Sequence, residues 1–141
     1  LLPLSNLVTP NIPEAEVLIG NPISNKKDMI KAAKIILNMG SKNVLLKGGH
    51  LKSKMIYDIL ATKKGIKVFS KRKIKTKNTH GTGCTLSSAL ATCLSQKKNV
   101  FNSCKISLNY VNQAITYAPR YGKGYGPLNH LVLLNSRNTD V

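Results

Sequence analysis

Apolar positions change their spacing repeatedly along the chain, and each change marks an element. Leu7 and Val8 form the apolar centre of a short extended run, Asn6 to Thr9, which Pro10 closes. Asn11 stands where a helix cap belongs, with Pro13 in the first turn and Glu14 three residues on, and the helix they predict stops near Gly20. Ser24 or Asn25 can cap a second helix, in which Ile30, Ala33, Ile36 and Leu37 recur at helical spacing before Gly40 stops it. Asn43 to Lys47 contains the brief run Val44-Leu45-Leu46 and ends at Gly48-Gly49, as a short buried strand would.

Met55 to Leu60 and Lys67 to Phe69 read as two further strands with Lys64-Gly65 turning between them, and the alternating Lys71 to Lys77 run can extend the second. Leu86, Ala89, Leu90, Cys93 and Leu94 share one face of a helix from Cys84 to Gln96. Ile106, Tyr110, Val111, Ala114 and Ile115 do the same in a helix from Ser103 to Ala118. Gly122 to Leu128 reads as loop and Leu131 to Leu134 as a last strand. Helices alternating with short apolar strands predict an α/β fold, and 141 residues hold one domain. The opening Leu1-Leu2-Pro3-Leu4 is apolar and uncapped, as though an element were cut through.

Composition changes this picture little. The chain carries 22 Lys and Arg against 5 Asp and Glu, a formal charge of +17, which raises nucleic acid as a partner. The basic residues are scattered through every segment, however, and four lysines of the Lys71 to Lys77 run fall on one face of the expected strand, which reads as a solvated face. Only 5% of residues are aromatic and there is no Trp, so a stacking platform for single strands is poorly supplied. Three cysteines without a C-x-x-C pair argue against a disulfide framework and a structural zinc site, and point to a reducing cytoplasm. No signal peptide and no run of membrane-spanning length is visible.

Candidate chemistry concentrates in Asn78-Thr79-His80-Gly81-Thr82-Gly83-Cys84-Thr85-Leu86-Ser87-Ser88. Two glycines spaced by one residue let successive N–H groups face one point, and the following helix adds its unsatisfied donors and positive dipole end. Such a turn cradles an anion, and a thiol at the same helix start is favoured as thiolate. Four residues have two readings each. Asn11 and Glu14 form a local helix cap or hold Mg²⁺ through water beside phosphates. Lys47, before two glycines at a strand end, is a solvated lysine or a phosphate ligand at the carboxyl edge of a sheet. Cys84 is a small hydrophobe or a reactive group.

With Thr9-Pro10-Asn11-Ile12-Pro13-Glu14-Ala15-Glu16, Lys47-Gly48-Gly49-His50-Leu51, Asn78 through Ser88, and Gly122 through His130 in this order, the chain resembles hydroxymethylpyrimidine/phosphomethylpyrimidine kinase, the thiamine-pathway branch of the ribokinase-like superfamily. The resemblance covers essentially all 141 residues. It implies the C-terminal half of a three-layer α/β/α kinase domain, with the N-terminal substrate-binding half absent. It also implies ATP-dependent phosphorylation of 4-amino-5-hydroxymethyl-2-methylpyrimidine to its monophosphate and then its diphosphate, in the cytoplasm, with Mg²⁺ and with homodimers common in the family.

By the same resemblance Gly81, Thr82 and Gly83 form the anion hole for the γ-phosphoryl group, and Cys84 is the general base where most of the superfamily has Asp. Asn11 and Glu14 match the N-x-x-E element that organises Mg²⁺, and Lys47 matches a lysine that neutralises phosphate charge. Gly49, Thr82, Asn112 and Gly126 fall on the ATP side, the segment from Asn112 through Gly126 bordering the adenine. Tyr125 departs from the family's usual His. The resemblance also implies an alternative, a pyridoxine or pyridoxal kinase sharing the G-T-G-C hole, and the charge offers another, a non-catalytic basic remnant binding nucleic acid.

Overall fold

The computed structural model describes residues 1–119, 121 and 124–135, the side chains of 134 and 135 excepted. The expected loop positions Gly122 and Lys123 lie outside the described residues. Its contacts separate into two compact units, Leu1–Lys73 and Ile74–Val141.

The first unit opens with a 3₁₀ turn at Leu2–Leu4 and continues into α1 (Ile12–Ile19) and α2 (Lys26–Asn38). Both caps are built as the sequence predicts. Asn11 Oδ1 accepts the Glu14 N–H at 2.9 Å while Glu14 Oε2 accepts the Asn11 N–H at 2.7 Å, a reciprocal capping box. Gly20 ends α1 with φ of 68°, a left-handed geometry that glycine adopts without strain. At α2 the cap is Asn25, whose Oδ1 accepts from Lys27 and Asp28.

Strands β1 (Asn43–Leu46), β2 (Met55–Thr62) and β3 (Gly65–Arg72) form an antiparallel sheet in that order. Val44 and Leu46 pair with Ala61 and Ile59 in register and meet Met29, Ala32, Ala33 and Ile36 of α2 in one core. Burying side chains of this size contributes about 1.5–3 kcal/mol each for the larger ones. That core anchors β1, whose carboxyl end carries Lys47.

Two expectations are corrected in this unit. Asn6 to Thr9 does not form a strand; Val8 makes a single parallel bridge to Val44, with Leu45 N–H donating to Val8 O at 2.8 Å. Pro10 has no N–H to continue the ladder, although its carbonyl accepts from Lys47 at 2.8 Å. The Lys71 to Lys77 run extends β3 only in part: Lys71 and Arg72 pair with Ile56 and Met55, whereas residues 73–77 lie outside the strand. The strand ends at Arg72 because β2 begins at Met55; one further bond, Lys73 N–H to Lys54 O at 2.9 Å, closes the pairing.

The second unit packs α3 (Thr82–Ser95) on α4 (Val100–Thr116), followed by a short α5 (Val132–Asn135). Helix α4 turns a slightly different face inward from the one expected. Cys104, Leu108, Val111 and Ala114 are buried with Ser103 and Ser107, whereas Ile106 is 45% exposed. Small serines permit close helix approach, so they displace the bulkier Ile106 from the contact. The last strand expected at Leu131 to Leu134 is instead the helix α5. Asn129 Oδ1 accepts the Leu131 N–H at 3.0 Å, a local turn that starts helical geometry. Among the described residues no helix is long and apolar enough to cross a membrane.

Candidate functional site

In the first unit the structure brings Asn11, Glu14 and Lys47 to one place. Asn11 and Lys47 face each other across a parallel bridge at the carboxyl end of β1, and Glu14 is tied to Asn11 by the capping box. The box uses Asn11 Oδ1 and Glu14 Oε2, leaving Glu14 Oε1, on an exposed residue, without a partner among the described residues. Among the described residues no three His, Cys, Asp or Glu side chains gather as a metal cage. A single carboxylate oxygen suits Mg²⁺, which keeps most of its waters and takes one or two carboxylates beside phosphates. The cap and the metal reading of Asn11 and Glu14 are therefore compatible, since they use different oxygens.

Lys47 is half-buried, and its Nζ has no hydrogen-bond partner among the described residues. The chain then turns tightly: Leu51 N–H donates to Gly48 O at 3.2 Å, with Gly49 exposed at the bend. Gly48 has no room for a side chain, because a Cβ would fall inside the Tyr57 carbonyl oxygen.

Asp58 is a buried acidic residue next to this turn that the sequence reading missed. It is only 5% exposed, and its Oδ1 accepts the Gly48 N–H at 3.0 Å. Burial pushes its carboxyl above the usual carboxylate range, an effect that the Lys71 charge, the Gly48 bond and the Lys47 charge partly oppose. The available signal was an acidic residue inside the apolar run Met55-Ile56-Tyr57-Asp58-Ile59-Leu60. Lys73 was read as part of a solvated face. It is exposed, and its Nζ also donates to Gly49 O at 2.9 Å and Leu51 O at 3.3 Å.

The direction of the Asp58 shift sets a pH dependence. The folded chain holds this proton more tightly than the unfolded one, so the contribution of Asp58 to stability is fully present below the ordinary aspartate value of about 3.9 and is lost as pH rises through the raised folded value. Asp58→Asn keeps an acceptor for Gly48 but cannot ionise. Its stability relative to the unsubstituted protein is expected to rise as pH increases above about 4, as denaturant titrations at stepped pH will read; a constant difference contradicts the assignment.

In the second unit, Gly81 takes the N-cap position of α3 with φ of 81°, and a Cβ there would meet nothing within 4 Å. Backbone conformation, rather than space, therefore calls for glycine at this position. The helix begins at Thr82, two residues before the expected Cys84, so Gly83 and Cys84 lie within its first turn. Thr85 N–H and Oγ1 both donate to Gly81 O at 2.9 Å and lock that turn. Thr82 N–H and Oγ1 both donate to Thr79 O, at 3.3 and 2.6 Å. The N–H groups of Gly83 and Cys84 meet no acceptor among the described residues, and the Cys84 thiol is exposed.

Gly126 lies beside this turn: Pro127 bridges His80, and the Asn78 side chain occupies the space a Cβ on Gly126 would need. Asn112 is half-buried on α4, where its carbonyl accepts the Thr116 hydroxyl at 2.8 Å.

A family model described as phosphomethylpyrimidine kinase matches residues 1–129. The chain belongs to this family. A hydroxymethylpyrimidine/phosphomethylpyrimidine kinase from Staphylococcus aureus is 39% identical over 99% of the chain and 51% of its own length. The thiamine biosynthesis bifunctional protein ThiED of Geobacter sulfurreducens is 46% identical over 94% of the chain and 27% of its own length. Among solved structures, the ADP complex of Bacillus subtilis pyridoxal kinase superposes with a TM-score of 0.89 at 32% identity, covering 95% of this chain and 53% of that one. This phosphomethylpyrimidine kinase family chain therefore has a partial ribokinase-like α/β fold. It spans about half the length of the Staphylococcus aureus relative.

Proposed function

We propose that the protein is a kinase that transfers the γ-phosphoryl group of ATP to the hydroxymethyl oxygen of 4-amino-5-hydroxymethyl-2-methylpyrimidine, and then a second phosphoryl group to the monophosphate, forming the diphosphate for thiamine synthesis. The observation that carries this reading is the start of α3, where two free N–H groups and an exposed thiol share one turn.

In this reading the turn Gly81-Thr82-Gly83 shapes an anion hole in which the N–H groups of Gly83 and Cys84 face the oxygens of the transferring group. Phosphoryl transfer asks the protein mainly for position and fixed charge, and loss of one such donor typically costs on the order of 3 kcal/mol. Cys84 takes the proton of the acceptor hydroxyl as the new O–P bond forms and the bond to ADP breaks. Lys47 contributes a cation to phosphate oxygens, with Gly49 beside it, and Asn112 and Gly126 belong to the nucleotide side. Asn11 and Glu14 hold Mg²⁺ through its waters, with Glu14 Oε1 as the free oxygen; when bound, the ion neutralises phosphate charge.

We place these 141 residues in the carboxy-terminal part of a single kinase domain whose pyrimidine pocket comes from preceding residues; a homodimer and a cytoplasmic location belong to the same proposal. A second reading, pyridoxal kinase, is favoured by the backbone likeness to the Bacillus subtilis enzyme. Steady-state assays of the full-length protein with ATP and either alcohol separate the two. Higher kcat/KM for the pyrimidine is expected, and higher kcat/KM for pyridoxal would replace the first reading with the second.

A further inference from the structure

We propose that Asp58 and Lys73 are positioning residues that grip the turn after β1 from two sides, fixing where Lys47 and Gly49 present their charge and backbone to nucleotide phosphates. This rests on the kinase reading above. Most acidic side chains of the described chain serve helix starts or connections: Glu14 caps α1, Asp28 accepts from Ser24 and Asn25, and Glu16 accepts the Ile23 N–H. Asp58 does something different. It is buried within a strand, and its hydrogen bond crosses to the backbone of a turn ten residues earlier in the chain.

Three contacts fix that turn. Asp58 Oδ1 takes the Gly48 N–H at 3.0 Å. Lys73 Nζ takes Gly49 O at 2.9 Å and Leu51 O at 3.3 Å, and the Lys73 backbone is itself held by Lys54 at the end of β3. The Tyr57 carbonyl lies so close to Gly48 that the turn rests directly on β2. Lys47 immediately precedes this assembly, and its own N–H is bound to Pro10 O at 2.8 Å. A flexible lysine on a mobile turn would sample many positions, whereas one rooted between these contacts presents its ammonium to a narrow region.

The test compares Asp58→Leu, which fills similar volume without an acceptor, with Asp58→Asn, which keeps one, and with Lys73→Met, all in the full-length protein. Asp58→Leu is expected to accelerate amide exchange at Gly48 roughly tenfold or more and to raise KM for ATP roughly tenfold with a smaller change in kcat. Asp58→Asn should hold both within about twofold, and Lys73→Met should raise KM for ATP about threefold. Unchanged Gly48 exchange and KM in Asp58→Leu overturn the proposal, as does an Asp58→Asn variant as impaired as Asp58→Leu. Should Asp58→Leu fail to fold, Lys73→Met decides: an unchanged KM for ATP overturns the two-sided grip. Absence of ATP turnover in the unsubstituted protein overturns the kinase reading alone, and Gly48 exchange then decides whether Asp58 holds the turn.

Discussion

Cys84→Ala in the full-length protein is expected to lower kcat by roughly two to four orders of magnitude while leaving KM for ATP nearly unchanged. The asymmetry follows from where the thiol sits. Cys84 is exposed in the first turn of α3, so its removal opens no cavity. The backbone donors of Gly83 and Cys84 survive the change, because they belong to the main chain, and the Gly81 O to Thr85 N–H bond that closes the turn is untouched. What disappears is only the group assigned to take the acceptor proton. Cys84→Asp restores a basic side chain at the same place and is expected to recover part of the lost rate. Turnover in Cys84→Ala close to that of the unsubstituted protein would remove the base from the proposed mechanism, leaving the helix start as an anion site alone.

Gly48→Ala is the second large effect, and it should appear as lost stability on the order of 3 kcal/mol or more. A methyl group there would fall inside the Tyr57 carbonyl oxygen and press on Met29 Cε at 3.0 Å. Methionine can turn aside, but the carbonyl cannot. Tyr57 is paired with Ser70 in the middle of the sheet, so moving it would break the β2–β3 register. The Gly48 N–H is meanwhile fixed by Asp58, so the turn cannot withdraw without leaving a buried carboxyl unsatisfied. Gly49→Ala supplies the internal contrast. Its Cβ would meet nothing within 4 Å, and its expected cost is within about 0.5 kcal/mol. Denaturant midpoints of the two variants check the pair, and equal midpoints would contradict the steric account.

Much of this was legible from local residue order. Asn11, Pro13 and Glu14 specify a helix start through bonds spanning three residues, and Gly20 specifies its end through a backbone angle. Both were read correctly because the partners are neighbours in sequence. The turn at Gly81 was recognised for the same reason, although its helix starts two residues earlier than the apolar spacing suggested. The inward face of α4 was harder to read, because polar Ser103 and Ser107 are buried by close packing against α3 in preference to the exposed Ile106.

Asp58 and Lys73 mark the limit of such reading. Each binds a turn whose residues lie between 10 and 24 positions away, and nothing in the surrounding residues announces those bonds. The sequence by itself determined the caps of α1 and α2, the runs of β1 to β3, the glycine turn with Cys84 and the family resemblance, all of which depend on residue type at short spacing. Only the tertiary structure decided that Asp58 is a buried acceptor, that the exposed Lys73 ammonium holds two carbonyls, and that Gly48 must be glycine. The reason is physical: pairing β2 beside β1 sets distant backbone groups within bonding distance, and burial there makes each unpaired polar group costly.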